Sequence, residues 1–151
     1  MRFRSAYSIL LCAAAAFFFF LSAHAAGPGE IKLEAFLVWG ANDAKSPNPS
    51  YKPLPPDLAL KIKQSFKWEY YFEVTRTNFD LSKSQEKTVR MSKNCELTVK
   101  NLGDSQLSLR LVGKGKPVHY ITRPLPKDEV FIYGGNAENS TAWFLVLRQA
   151  E

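Results

Sequence analysis

His119 is the side chain best suited to acid–base chemistry, but the sequence offers it no partner. The chain has two histidines, and His24 lies in a stretch interpreted below as an export signal. General bases and zinc sites normally combine a histidine with a second histidine, a cysteine thiolate or a buried carboxylate. The residues around His119 instead predict a strand in which Val118 and Tyr120 point to the opposite face. We therefore expect neither a catalytic residue nor a metal ligand at this position.

The carboxylates also lack the spacing that acid–base catalysis needs. Glu69 and Glu73 share a face of a predicted strand, but the strand rise separates them by about 13 Å, whereas glycosidase pairs lie roughly 5 to 9.5 Å apart. Asp128 and Glu129 are neighbours and point in opposite directions in an extended chain. We therefore expect no catalysis and no cofactor. A hydrolytic enzyme that uses His119 or Glu73 is the third hypothesis.

Two polar loops and one aromatic side chain provide the candidate binding residues. Residues 113–116 (Gly-Lys-Gly-Lys) lack the spacing of a phosphate-binding loop and precede no helix, so they predict a hairpin tip whose lysines are available to an acidic polymer. Residues 134–141 form a longer polar loop than a hairpin needs, and binding residues concentrate in such loops. The ring of Tyr71 is expected to be exposed beside Glu69 and Glu73 and to recognise carbohydrate or peptide. The candidate binding residues are Tyr71, Lys114, Lys116, Asn136, Glu138 and Asn139.

The first 25 residues have the three features of a cleaved export signal. Arg2 and Arg4 precede an apolar run at 9–21, and residues 23–25 (Ala-His-Ala) place small residues where a signal peptidase cleaves. The run of about 13 residues is shorter than the roughly 20 that span a bilayer. We predict a signal at 1–25, a single domain at 26–151, a periplasmic or secreted location, and no stable membrane span after cleavage.

Charge and cysteine content argue against two further classes of protein. The whole chain carries a formal charge of +6, and loss of Arg2 and Arg4 leaves 18 basic and 14 acidic side chains, or +4. The basic residues are scattered among acidic ones, so we expect no binding to nucleic acid. Cys95 is the only cysteine after cleavage, which precludes an internal disulfide. It is either a small buried hydrophobe or bonds to the thiol of a partner.

Alternating apolar and polar residues predict a fold made of sheets. The predicted strands are residues 30–39, 68–75, 87–91, 96–100, 106–112, 118–122, 129–133 and 142–148. Several separators are short and contain glycine, as hairpin turns require. A parallel sheet would need a crossover helix between successive strands. We therefore predict an all-β fold, an antiparallel sandwich, Ig-like or similar, with about eight strands and one short helix after a proline-rich loop.

The proline-rich segment 42–56 interrupts the strand pattern and predicts a long surface connection. A helix is expected to begin at Pro55 or Pro56, because proline is tolerated in the first turn. Its apolar stripe consists of Leu54, Leu58, Ile62 and Phe66. A helix of about ten residues is marginal alone, so the stripe must pack on the sandwich. A strand beginning at Leu58 is the competing interpretation.

The leading hypothesis is an exported, non-catalytic binding or accessory module of the cell envelope or extracellular space. Its expected partner is a glycan, a wall polymer or another exported protein, with residues 42–56, 113–116 and 134–141 as the binding surfaces. The alternative is a structural component that adds an edge strand, Ala142 to Arg148, to a partner's sheet. Residues 139–141 (Asn-Ser-Thr) also match the acceptor pattern for N-glycosylation at Asn139.

Overall fold

The computed structural model of the protein describes residue 27 and residues 29–150. Nine strands in this part of the chain form two antiparallel sheets, which confirms the all-β sandwich; the predicted signal lies outside the described residues. The elements are β1 (Ile31–Ala41), β2 (Lys52–Pro53), α1 (Pro56–Lys63), β3 (Tyr70–Leu81), β4 (Glu86–Ser92), β5 (Cys95–Gly103), β6 (Gln106–Gly113), β7 (Lys116–Pro124), β8 (Val130–Asn136) and β9 (Ala142–Gln149). The additional strand, β2, has two residues and lies within the proline-rich segment, at a sheet edge where proline is tolerated.

The strand order places β1 at the centre of the larger sheet. That sheet has the order β2-β3-β1-β9-β8, and the second sheet is a meander with the order β4-β5-β6-β7. Consecutive turns of a meander lie at alternate ends of the sheet. The β4–β5 and β6–β7 turns therefore share one end of the sandwich, and the β5–β6 turn lies at the other.

The tight turns depend on residues with positive φ. Asp104 and Ser105 join β5 to β6 with φ values of 51° and 60°, and Lys114 and Gly115 join β6 to β7 with values of 49° and 76°. Two consecutive positive values suit the right-handed twist of a hairpin. Because the turn needs only Asp104 and Ser105, residues 101–103, which were predicted as part of a loop, belong to β5.

The main core lies between the two sheets. Its fully buried side chains come from alternate positions of facing strands, as the sequence pattern predicted. They include Leu33, Leu81, Leu97, Val99, Leu107, Leu145 and Leu147. The outer face of the four-stranded sheet carries polar side chains, including the hydrogen-bonded pair Thr88 and Thr98, whose hydroxyl oxygens are 2.8 Å apart.

The helix forms a third layer on the outer face of the five-stranded sheet. Leu58 and Ile62 are fully buried there and pack in one cluster with Phe36 and Val146 of the sheet. This confirms the predicted helix with proline in its first turn, and it explains why both faces of β1 are apolar. Among the described residues, no helix is long and apolar enough to cross a membrane.

Gly134 and Gly135, predicted as part of a loop, instead belong to β8. They pair with Phe144 and Trp143 of β9, so the connection between these strands is only residues 137–141. A Cβ atom on Gly134 would lie 2.3 Å from Cδ1 of Phe144, and one on Gly135 would lie 3.1 Å from Cζ2 of Trp143. Glycine is required at position 134, where the Phe144 ring leaves no space for a Cβ atom, whereas a Cβ atom on Gly135 would need only a small shift of the Trp143 ring.

A charged cluster joins the helix to the sheet. Nε of Arg148 donates to Glu34 at 2.6 Å, and its Nη1 donates to Asp57, in the first turn of α1, also at 2.6 Å. The guanidinium groups of Arg148 and Arg76 lie 5.5 and 4.8 Å from the ring centre of Phe36. Arg148 therefore connects β9, β1 and the helix.

Acidification is expected to weaken this connection. Burial alone would raise the pKa of Asp57, but the hydrogen bond and positive charge of Arg148 outweigh it and lower the pKa below its usual value. The stabilising contribution is full above the unfolded-state pKa of about 3.9 and is lost as the pH falls through the lower folded-state pKa. The Asp57 side chain is 61% exposed, so the expected loss is below about 1 kcal/mol.

Urea unfolding at about pH 5 and pH 2.5 measures this contribution. The wild type should lose more stability on acidification than Asp57→Asn does. Asp80→Asn is the matched control and should lose as much stability as the wild type, since Asp80 is exposed and forms no ion pair within the described residues. Identical losses in wild type and Asp57→Asn would contradict the prediction.

Candidate functional site

A cavity of about 810 Å³ opens between the two sheets at one end of the sandwich. It lies where β1 and β3 approach the β4–β5 turn, the β6–β7 turn and the connection between β8 and β9. Pockets that bind small molecules typically have volumes of about 300 to 1,000 Å³. The cavity is therefore large enough to enclose most of one small ligand.

The interior of the cavity is apolar. Leu37 and Val74 line it from the five-stranded sheet, and Leu111 and Val118 line it from the four-stranded sheet. Leu37 and Leu111 also belong to the main core. The cavity is thus an open end of the core, where an incoming apolar group can replace water.

Two tryptophans complete the walls. Trp143 lies across Gly135, and its ring centre is 6.0 Å from that of Tyr133. Trp39 lines the cavity from β1, and its Nε1 atom is the one buried side-chain nitrogen or oxygen in the described part of the chain without a hydrogen-bond partner. An unpaired buried donor costs about 1 to 3 kcal/mol. The indole N–H of Trp39 therefore remains without an acceptor at this wall of the cavity.

Polar residues of three connections surround the mouth. Ser92 ends β4, Asn94 lies in the β4–β5 turn, and Lys114 lies in the β6–β7 turn. The backbone N–H of Lys114 donates to the carbonyl oxygen of Asn94 at 2.8 Å, which joins these two turns. Asn136, the last residue of β8, and Glu138, in the connection between β8 and β9, face them. The mouth therefore has polar groups on both sheets.

The structure brings half of the predicted binding residues together. Lys114, Asn136 and Glu138 all line the cavity. Lys116 is exposed two residues beyond Lys114 and is not among the lining residues. Asn139 lines a second, more polar hollow of about 530 Å³ on the other side of the same loop.

The predicted exposure of Tyr71 to solvent is wrong. Tyr71 is 5% exposed and packs beneath the helix, where its hydroxyl group donates to the carbonyl oxygen of Phe66 at 3.3 Å. Alternation correctly places Tyr71 on the sheet face opposite to Val74, which packs against the main core, but the helix layer covers that outer face and buries the ring. Tyr71 also lies opposite Gly40, which leaves space for its ring. The ring cannot contact a ligand from this position.

The described residues provide no obvious acid–base site. His119 points inward from the edge strand β7 and stacks on Tyr133, with ring centres 4.3 Å apart. Glu73 is paired with Arg76 at 2.7 Å. No group of three histidine, cysteine, aspartate or glutamate side chains in residues 29–150 is arranged to hold a metal ion.

Cys95 is a half-buried thiol in the cavity wall, and the part of the chain described here contains no other cysteine. Burial and the nearby charge of Glu96 raise the pKa of its thiol. The thiolate is the reactive form. At about pH 8 we therefore expect Cys95 to react several-fold more slowly with a disulfide reagent than the same thiol in urea-unfolded protein, with the rate rising as the pH increases.

The reaction rates of native protein, unfolded protein and glutathione over a range of pH test this prediction. Glutathione corrects for the effect of urea and pH on the reagent. Equal rates for the native and unfolded thiols after that correction would show that the cavity wall does not protect Cys95.

Sequence reasoning missed the aromatic walls of the cavity. Trp39, Trp143 and Tyr51 line the cavity but are not among the six candidate binding residues named from the sequence. All three sit where a strand ends or a loop crosses the open end of the sandwich, which sequence periodicity does not reveal.

In comparisons with known proteins, no protein family, no curated protein and no solved structure matches this chain.

Proposed function

We propose that this protein is an exported, non-catalytic binding module of the cell envelope or extracellular space, and that its ligand enters the cavity at the end of the sandwich. The supporting observation is that the cavity joins an apolar interior to a polar mouth built from several loops. Binding sites commonly combine apolar walls with a few polar groups that orient the ligand. The ligand is a molecule of that compartment, either free or as a group carried by a glycan, wall polymer or another exported protein.

Cys95 provides a direct test, because a ligand in the cavity shields its thiol. Purified protein is mixed with increasing amounts of envelope extract, and alkylation of Cys95 by N-ethylmaleimide is followed by mass spectrometry. We expect alkylation to slow saturably. A thiol introduced by Lys127→Cys serves as the control, because Lys127 is exposed in the β7–β8 connection at the opposite end of the sandwich.

Two results would argue against this function. Unchanged alkylation of Cys95 at every extract concentration would show that nothing in the extract enters the cavity. Equal slowing at both thiols would indicate consumption of the reagent or coating of the whole protein instead of occupation of one site.

A different observation favours the alternative function, assembly through a sheet edge. The segment first expected to provide that edge, Ala142 to Arg148, is wrong for this role, because β9 is paired on both sides. The four-stranded sheet has edge strands β4 and β7, and β7 is the one with large exposed apolar side chains, with Val118 44% and Tyr120 69% exposed. A partner strand added beside β7 would extend this sheet.

Thr122→Pro tests strand addition, since Thr122 is exposed on β7 and proline removes a backbone donor and obstructs an added strand. If β7 is an interface, this variant loses a complex that the wild type forms in cross-linking of native cells. Tyr120→Lys is the side-chain counterpart and leaves every backbone donor in place. A complex that survives both substitutions does not use this edge.

A further inference from the structure

We infer that the ligand of the cavity is an anionic amphiphile, a molecule with an apolar body and one carboxylate, phosphate or sulfate group. This inference rests on the proposed function, which makes the cavity a binding site, and it adds the chemical class of the ligand. The apolar body occupies the space between the sheets, and the anionic group lies at the mouth beside Lys114. The argument depends on the interior, the size of the cavity and the charge around it.

The interior favours an apolar body over a sugar. The side chains of Leu37, Val74, Leu111 and Val118 have no groups that form hydrogen bonds. Hydroxyl groups of a sugar would lose hydrogen bonds with water on entering this space and would find few replacements, which is unfavourable. An acyl chain or hydrophobic ring loses no hydrogen bonds and gains contact with the two indole rings.

The size of the cavity favours a single free molecule. At about 810 Å³ it is within the range of small-molecule pockets, and its mouth is formed by narrow turns instead of a flat apolar surface. An amphiphile dispersed in solution is able to enter between these turns. A bilayer surface would meet the charged turn residues first.

The charge around the mouth favours an anion. At this end of the four-stranded sheet, Lys93 and Lys114 lie in the two turns and Lys116 is the first residue of β7. All three are exposed, and none forms an ion pair with a described residue. The hydrogen bond from Lys114 to Asn94 holds these turns together. Glu138, on the opposite side, is the one carboxylate among the described residues that line the cavity. On the side of the four-stranded sheet, Glu96 lies near Cys95 but is paired with Arg90 at 2.6 Å. The unpaired charges on this side are therefore those of the lysines, and an anionic group beside Lys114 gains attraction.

The first experiment compares amphiphiles of equal chain length below their micelle concentrations. Dodecanoate is the anionic probe, dodecyltrimethylammonium is the cationic probe, and maltose represents a sugar without an apolar body. Isothermal calorimetry measures binding, and protection of Cys95 from alkylation reports whether the probe occupies the cavity. We expect dodecanoate to bind at least threefold more tightly than the cation, and maltose to show neither binding nor protection.

The second experiment alters the charge of the mouth. Lys114→Glu is expected to weaken dodecanoate binding roughly three- to tenfold, with a smaller effect at high salt. Glu138→Gln is expected to strengthen binding, because it removes the carboxylate that faces the ligand. Lys127→Glu makes the same charge change at the opposite end of the sandwich and should leave binding within about twofold of the wild type. Circular dichroism establishes that each variant is folded.

The outcomes separate this inference from the proposed function. If envelope extract protects Cys95 but dodecanoate does not, the cavity is a binding site and the inferred ligand class is wrong. Equal binding of the anion and the cation, binding of maltose, or no response to Lys114→Glu would also overturn the ligand class alone. Phosphatidylglycerol vesicles are an additional probe. Binding to the vesicles without binding to dodecanoate would indicate that the protein binds a bilayer surface, and it would overturn the inference. Failure of every probe and of the extract to protect Cys95 overturns both.

Discussion

Replacing Phe144 by alanine is expected to lower the free energy of unfolding by about 3 to 5 kcal/mol. Phe144 is 1% exposed and joins the helix layer to the sheet. Its ring centre lies 4.7 Å from that of Phe66, 5.6 Å from that of Trp68 and 5.8 Å from that of Tyr71. The substitution leaves a cavity at the centre of these three rings. Urea unfolding measures the loss, with Tyr120→Ala as an exposed aromatic control.

Gly134, which lies against the Phe144 ring, provides a sharper test of the same packing. A Cβ atom on Gly134 would be 2.3 Å from Cδ1 of Phe144, so Gly134→Ala should also destabilise the protein. In Phe144→Ala that contact no longer exists. A contact with the carbonyl oxygen of Trp143, at 2.8 Å, remains. The two substitutions together should therefore cost less than the sum of the single losses, by about 1 kcal/mol or more. Strict additivity would contradict the packing described here.

Asn101→Leu is the second substitution expected to have a large effect, with a loss of at least about 3 kcal/mol. The Asn101 side chain is completely buried, and its Nδ2 donates to the carbonyl oxygens of Gly29 at 2.8 Å and Leu81 at 3.0 Å. Its Oδ1 accepts a hydrogen bond from the backbone N–H of Gly103 at 2.9 Å. Leucine has a similar size but leaves all three backbone groups without these partners, and each unpaired buried group costs about 1 to 3 kcal/mol.

The matched control for Asn101→Leu is Asn78→Leu, the same chemical change at an exposed position of β3. Exposed substitutions of this kind usually change stability by about 0.5 kcal/mol or less. Both variants are compared with the wild type in urea unfolding. Similar midpoints for the two variants would show that the hydrogen bonds of Asn101 do not stabilise the fold.

The amino-acid sequence by itself determined the fold class and the approximate positions of the longer elements. Alternation in segments such as 106–112 and the proline-led stripe of Leu58 and Ile62 report which side chains avoid water, and this information is local. The eight predicted strands and the helix are therefore all present in the structure. Alternation placed Tyr71 on the correct face of the sheet but not its exposure, because the helix layer covers that face.

Only the tertiary structure decided where the loops meet and which rings surround the cavity. Lys114 and Glu138 are 24 positions apart in the sequence, and Trp39 precedes them by 75 and 99 positions. Their proximity depends on strand order and on which turns share an end of the sandwich, and neither is encoded in local periodicity. The same holds for Asn101, whose partners Gly29 and Leu81 come from distant segments. Local side-chain chemistry specifies the elements, whereas long-range pairing of strands assembles the site.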